Sequence, residues 1–146
     1  MKILVLTGSP RKKGNSRQLT DAFIRGAEAA GHTVTRFDTA DLDIHDCIAC
    51  GHCREEGNDT CVFKDDMQAV YPYLIAADLV VLATPLYYFG ISAQLKAAID
   101  RFYAHNLKIR DKRAVLLAAC ADLDDWAPEA LQHHYLTICR YCRWQD

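Results

Sequence analysis

Two short runs, Ile3-Leu4-Val5-Leu6 and Leu79-Val80-Val81-Leu82-Ala83, are apolar at every position, and each stops at a turn signal, Gly8-Ser9-Pro10 after the first and Pro85 after the second. A strand with one face in water alternates polar and apolar residues. An unbroken apolar run therefore points to a strand covered on both faces, as in a parallel sheet between helices. The segments around these runs fit that reading. Leu19, Ala22, Phe23, Ala27 and Ala30 recur near i, i+3, i+4, with Gly31 as a stop, which predicts an amphipathic helix from Ser16. Thr33 to Phe37 is β-branched and of mixed polarity, as expected for a strand nearer an edge. Asp65 and Asp66 precede a helical stripe of Met67, Val70, Tyr71, Leu74 and Ile75 that Pro72 should kink or restart. Ser92 is placed to cap a helix marked by Leu95, Ile99 and Phe102. Ala114 to Ala119 reads as a fourth strand, and Asp124, Asp125 and Pro128 open a helix with the stripe Leu131, Tyr135, Ile138 and Cys142.

Strands alternating with helices define an α/β doubly wound parallel sheet with right-handed crossovers. In such sheets ligands bind beyond the carboxyl ends of the strands, where strand order reverses. For order 2-1-3-4 that crevice lies between the first and third strands. The loops after Leu6 and after Thr84 should therefore meet in space.

At 146 residues and 51% hydrophobic content the chain has the size of one domain, 1–146, interrupted by a Cys-rich insertion at about 39–64. A formal net charge of −2 gives no basic excess for nucleic acid or anionic membrane, so small molecules are the expected partners. The opening apolar run stops at Thr7, too short for a secretion signal, and no run approaches the roughly 20 residues of a membrane span. A cytoplasmic protein is expected. Seven cysteines without a secretion signal fit metal or redox chemistry better than a disulfide framework.

The loop Gly8-Ser9-Pro10-Arg11-Lys12-Lys13-Gly14-Asn15-Ser16 offers hydroxyls, an amide and cations at the start of a helix, whose free N–H groups and partial positive charge suit a terminal phosphate. It is neither a Walker A loop nor the dinucleotide G-x-G-x-x-G; an ordinary polar turn capped by Asn15 or Ser16 would look the same. Pro85-Leu86-Tyr87-Tyr88-Phe89-Gly90 combines aromatic faces with backbone donors, which suits a flat redox ring. Aromatics that merely cover the sheet end or a subunit contact are the alternative. Cys120-Ala121-Asp122, after the fourth strand, should reach the same crevice. Lys96 and Arg101 read as a solvated helix face, and no side chain is singled out as a catalytic acid or base.

Gly8-Ser9-Pro10-Arg11, Gly14-Asn15-Ser16, Asp65-Asp66-Met67, Ala77-Asp78, Thr84 to Gly90 and Leu95 to Arg101, in that order, resemble the NADPH-dependent FMN reductase and iron-sulfur flavoprotein family. The resemblance is strong from Met1 to about Arg101. It implies a flavodoxin-like fold, an FMN whose phosphate is held by Ser9, Arg11, Asn15 and Ser16, and an isoalloxazine ring wrapped by Pro85, Leu86, Tyr87, Tyr88, Phe89 and Gly90. It implies an oxidoreductase that takes electrons from NAD(P)H through FMN to a flavin, quinone or other small acceptor. Similar proteins are dimers or tetramers and usually continue into a fifth strand. Here the chain ends at Arg143-Trp144-Gln145-Asp146, so four strands are expected, with the fourth an exposed edge unless a partner or loop covers it.

Cys47-x2-Cys50-x2-Cys53-x7-Cys61 resembles the compact cluster site of iron-sulfur flavoproteins. Three thiolates at two-residue intervals can close on one face of a 4Fe-4S cluster, with the fourth completing it. The spacing is equally that of four unligated cysteines. Zinc fits less well, because its usual pattern pairs two separated knuckles. An electron carrier exchanging single electrons with a redox protein, and a redox- or metal-sensing domain, are therefore the alternatives to a reductase. Cys139-x2-Cys142 lies near a helix end that lacks the field needed to activate a thiol, so packing is its expected role.

Overall fold

The computed structural model describes residues 1–56, 58, 60–122 and 124–146; Gly57 and Asp59 of the Cys-rich insertion, and Leu123, lie outside the described residues. Strands β1 (Lys2–Thr7), β2 (Thr33–Asp38), β3 (Leu79–Pro85) and β4 (Arg113–Ala119) form a parallel sheet of order β2-β1-β3-β4. Helices α1 (Asn15–Ala29), α2 (Met67–Ala76), α3 (Ala93–Asp100) and α4 (Glu129–Cys142) alternate with them. This is the flavodoxin-like order expected from the sequence. The most apolar run, β3, is buried along its whole length, and mixed-polarity β2 is an edge.

The two-residue period of the strands sorts their side chains. Leu4, Leu6, Val80 and Leu82 face Val70, Leu74, Leu95, Ile99 and Tyr135 of α2, α3 and α4. Ile3, Val5, Leu79 and Val81 face the other way, against Phe23, Ile24 and Ala27 of α1. Among the described residues three helices thus feed one face and one helix the other.

Four details depart from expectation. The buried stripe of α1 is Ser16, Thr20, Phe23, Ile24 and Ala27, while Leu19 is 40% exposed, because turning Ser16 into the crevice rotates the helix by one position. Pro72 lies inside a continuous α2 instead of restarting it; it sits on the exposed face, where water can serve the carbonyl that Pro72 leaves without a donor. Ser92 stands at the N-cap of α3 without capping it: its hydroxyl donates to the Gly8 carbonyl at 2.8 Å, and its N–H donates to Thr84 Oγ1 at 3.0 Å. The edge of β4 is not wholly open, since Ala114 N–H donates to the Gln145 carbonyl and Gln145 N–H to the Lys112 carbonyl, both at 2.8 Å. No described helix is long and apolar enough to cross a membrane.

Candidate functional site

The crevice between β1 and β3 forms where the topology requires it. Gly8 N–H donates to the Ala83 carbonyl at 2.8 Å, fastening the first loop to the third strand. The two loops and the end of β4 enclose a cavity of about 450 Å³, lined by Ser9, Arg11, Lys13, Gly14, Asn15, Ser16, Pro85, Leu86, Tyr87, Ala119, Cys120 and Ala121. Ser9, Arg11, Asn15 and Ser16, the four residues expected at the phosphate, are all in this wall, with the first half of the ring loop and two of the three residues after β4. Lys13 and Gly14, within the expected loop but not singled out, and Ala119, the last residue of β4, line it as well. Only their position between expected neighbours signalled them.

One end of the cavity is built for an anion. Gly14 is the N-cap of α1, so Asn15 and Ser16 are its first residues, where amides have no partner within the helix. Arg11 and Lys13 stand there without a carboxylate partner among the described residues, whereas Lys12 is paired with Asp41. Asp38, the nearby acid at the end of β2, is neutralised by its surroundings. It accepts from Thr7 Oγ1 at 2.6 Å and pairs with Arg36 at 2.7 Å and Arg17 at 3.3 Å. Burial pushes its carboxyl up, but the Thr7 hydrogen bond and the two guanidinium groups outweigh that and hold it below the ordinary value. The field at the loop is therefore positive.

The other end is apolar and stiff. Leu86 N–H donates to the Ala119 carbonyl at 2.8 Å, and Tyr87 and Gly90 exchange N–H···O bonds at 3.2 and 3.1 Å. The loop's expected backbone donors are thus largely spent within the protein; Tyr88 and Phe89 keep theirs. These two form the tip of a two-residue turn with φ of 47° and 64°, a left-handed geometry that asparagine and glycine usually supply. Tyr88, Phe89 and Gly90 lie outside the cavity wall. The Tyr88 side chain is 99% exposed, and Phe89 packs on Trp126 with ring centroids 5.2 Å apart. Left-handed backbone explains the departure: it turns both rings away from the crevice that an extended loop would have faced.

Cys47, Cys50, Cys53 and Cys61 line one separate cavity of about 470 Å³, with Asp100 and Tyr103 also in its wall. All four are free; Cys47 and Cys50 are exposed. Burial, and then the neighbouring Cys61, Cys47 and Cys50, push the Cys53 thiol up. Among the described residues no three donors converge on the position of one ion. Cys139 and Cys142 are buried in the core, as packing residues should be, and burial pushes Cys142 up to about 11. Of the two helix cations, Lys96 is exposed and paired with Asp100, but Arg101 is buried, contrary to the solvated face expected; its carboxylate partner lies 36 positions away.

The chain belongs to the NADPH-dependent FMN reductase family, whose family model it matches over residues 1–144. Among its relatives is an iron-sulfur flavoprotein of Archaeoglobus fulgidus, 36% identical over 77% of this chain and 51% of that protein. An iron-sulfur flavoprotein of Methanocaldococcus jannaschii is 36% identical over 94% of this chain and 72% of that protein. Against several of these curated relatives the chain spans about half their length, 51% and 52% in two further cases. In three dimensions it superposes on an NAD(P)H:quinone oxidoreductase from Methanothermobacter marburgensis with a TM-score of 0.74 at 20% identity, over 92% of this chain and 73% of that one.

Asp38 and Asp65 link the site region to pH. Burial raises the Asp65 carboxyl, and hydrogen bonds from Arg101 and the His45 N–H more than reverse it, so both acids titrate below the ordinary value of 3.8 when folded. A depressed folded value stabilises the protein above the unfolded pKa, and that stability drains away as pH falls through the folded values. The urea midpoint should hold from neutral pH down to about 5 and drop below about 4. In Asp38→Asn/Asp65→Asn that acid-side slope should be shallower, while a slope equal to the parent's would dissociate these acids from it.

Proposed function

We propose that this chain carries FMN in the crevice and uses NAD(P)H to reduce a small acceptor. The observation that carries the reading is the single cavity joining a cationic helix N-terminus to a stiff apolar wall at the switch point of the sheet. Ser9, Arg11, Asn15 and Ser16 hold the phosphate, helped by Lys13. Pro85, Leu86 and Tyr87 form the ring wall, and Gly90 closes the turn that carries Tyr88 and Phe89 beyond it. When bound, FMN supplies the hydride and electron chemistry, so no side chain has to act as acid or base. The purified protein should be yellow and should bleach on addition of NADPH. Protein that stays colourless after incubation with FMN would overturn the reading; flavin that NADPH leaves oxidised would remove the reductase assignment.

The exposed Tyr88 ring and the Phe89–Trp126 pair extend from the loop whose first half lines the cavity, and such exposed aromatic faces favour a flat acceptor such as a flavin or quinone. Tyr88→Asn/Phe89→Gly should relax the left-handed turn and raise stability by about 1 kcal/mol, while raising KM for a quinone and leaving NADPH bleaching unchanged. Unaltered KM would separate these rings from the acceptor. A dimer, cytoplasmic location and a one-domain organisation belong to the same proposal.

A second reading has its own observation: four thiols around one cavity fit a 4Fe-4S cluster, which would be held by Cys47, Cys50, Cys53 and Cys61 and would supply one-electron exchange. Iron and acid-labile sulfide after anaerobic purification test it; their absence would leave the reductase reading alone.

A further inference from the structure

The cysteine-rich insertion leaves and rejoins the fold at a narrow neck, and that neck is built around one side chain. On the outgoing side His45 N–H donates to Asp65 Oδ2 at 3.0 Å, and Asp43 N–H donates to Asp66 Oδ2 at 2.8 Å. On the returning side Asp66 N–H answers to the Asp43 carbonyl at 3.1 Å. The His45 and Phe63 rings stack across the gap at 5.0 Å. Arg101, just beyond the end of α3, plugs this neck from below. Its guanidinium donates to the His45 carbonyl at 2.6 Å, takes both oxygens of Asp65 at 2.7 and 3.1 Å, and lies 5.0 Å from the centre of the Phe63 ring. The side chain is 1% exposed, and its Nε has no partner among the described residues.

We infer that Arg101 is the positioning residue of the cysteine loop, a clasp that fixes His45 and Phe63, each two residues from a terminal cysteine of the motif, so that the four thiols are presented as one set. The inference concerns the loop itself and is independent of whether the thiols carry a cluster. Physical chemistry favours Arg over Lys here. Three acceptor contacts and one aromatic face are met by a planar fork, and an ammonium is a point charge that satisfies only part of that set. A buried charge is retained only where such geometry surrounds it, and the hydrogen bond from Tyr71 to the Arg101 carbonyl at 3.2 Å holds the backbone of the clasp in place. A second cation, Arg54 inside the loop, ties the far wall down through Asn106 at 3.2 Å and the Tyr103 ring at 5.3 Å, so the loop is fixed at neck and body by different residues.

Amide hydrogen exchange on the FMN-loaded protein tests the inference. In Arg101→Met, exchange at the bonded neck amides of Asp43, His45 and Asp66 and at the loop amides of Arg54 and Glu55 should accelerate at least tenfold, with β1 and β3 still protected and FMN affinity unchanged. Cys139 and Cys142 should stay unreactive to iodoacetamide. Arg101→Lys should restore only part of the protection. Asp65→Asn, a milder change at the other half of the fork, should accelerate the same amides together with Met67, whose N–H donates to Asp65 Oδ1 at 3.2 Å. Unchanged loop exchange in both Arg101→Met and Asp65→Asn would overturn the clasp. So would loss of FMN together with labelling of Cys139 and Cys142, because Arg101 would then support the whole fold. Full rescue by Lys would replace the fork by charge alone and overturn the geometry.

Discussion

Gly8→Ala is expected to destabilise the protein by about 3 kcal/mol and to weaken FMN binding at least tenfold. A Cβ at this position would lie 2.1 Å from Ser92 Oγ and 2.6 Å from Leu95 Cβ, both well inside van der Waals contact. Ser92 can rotate away only by giving up its hydrogen bond to the Gly8 carbonyl, and Leu95 Cβ is fixed to the backbone of α3. The loop must therefore move off the strand end, taking the first turn of α1 with it. Gly26→Ala is the matched control. Nothing lies within 4 Å of its added methyl, and removing a glycine from a helix interior should stabilise by up to about 1 kcal/mol. Chemical denaturation and flavin titration of the two variants give opposite signs if close approach, and not chain stiffness, is what Gly8 supplies; equal stabilities would refute that.

The second large effect is on the cofactor. Arg11→Ala/Ser16→Ala should lose about 3 kcal/mol of FMN binding, or roughly 100-fold in Kd, taking charge-assisted hydrogen bonds at the middle of their range and discounting Arg11 for its exposure. Riboflavin has the same ring and no phosphate, so it should bind parent and variant alike. Isothermal titration with both ligands separates the two ends of the cavity. An equal loss for both ligands would mean that the substitutions disturb the fold, and no loss for FMN would remove these residues from the phosphate site.

The sheet was legible because burial on two faces leaves so little choice: Ile3 to Leu6 of β1 and Leu79 to Ala83 of β3 carry no polar residue, and β2 does. The meeting of Gly8 with the loop after β3 followed from topology, before any contact was known. What escaped was whatever depends on partners far apart in sequence. Arg101 looks like one more cation on a helix surface until Asp65 and the His45 carbonyl come to it. The hydroxyl of Ser92 has two outlets, its own helix and Gly8, and only the tertiary structure selects the second. Tyr88 and Phe89 read as ring-binding aromatics because nothing in their composition announces a left-handed turn; they adopt the geometry against their own preference, held by the Tyr87 and Gly90 hydrogen bonds. The pairing of Gln145 with β4 was hidden by the same limit, since one hydrogen-bonded residue has no period.

Helix α3 is a ruler. Eight residues long, or about 12 Å at 1.5 Å per residue, it starts just after the serine tied to the crevice and ends at the aspartate lining the cysteine cavity. Both ends are fastened, so its residue count sets the separation of the two chambers and the direction in which Arg101 points. One residue inserted between Ser92 and Arg101 would swing the guanidinium by about 100° off the neck. Chains that keep both chambers should thus tolerate changes on the exposed face of α3, at Ala93 and Gln94, and resist changes in its length.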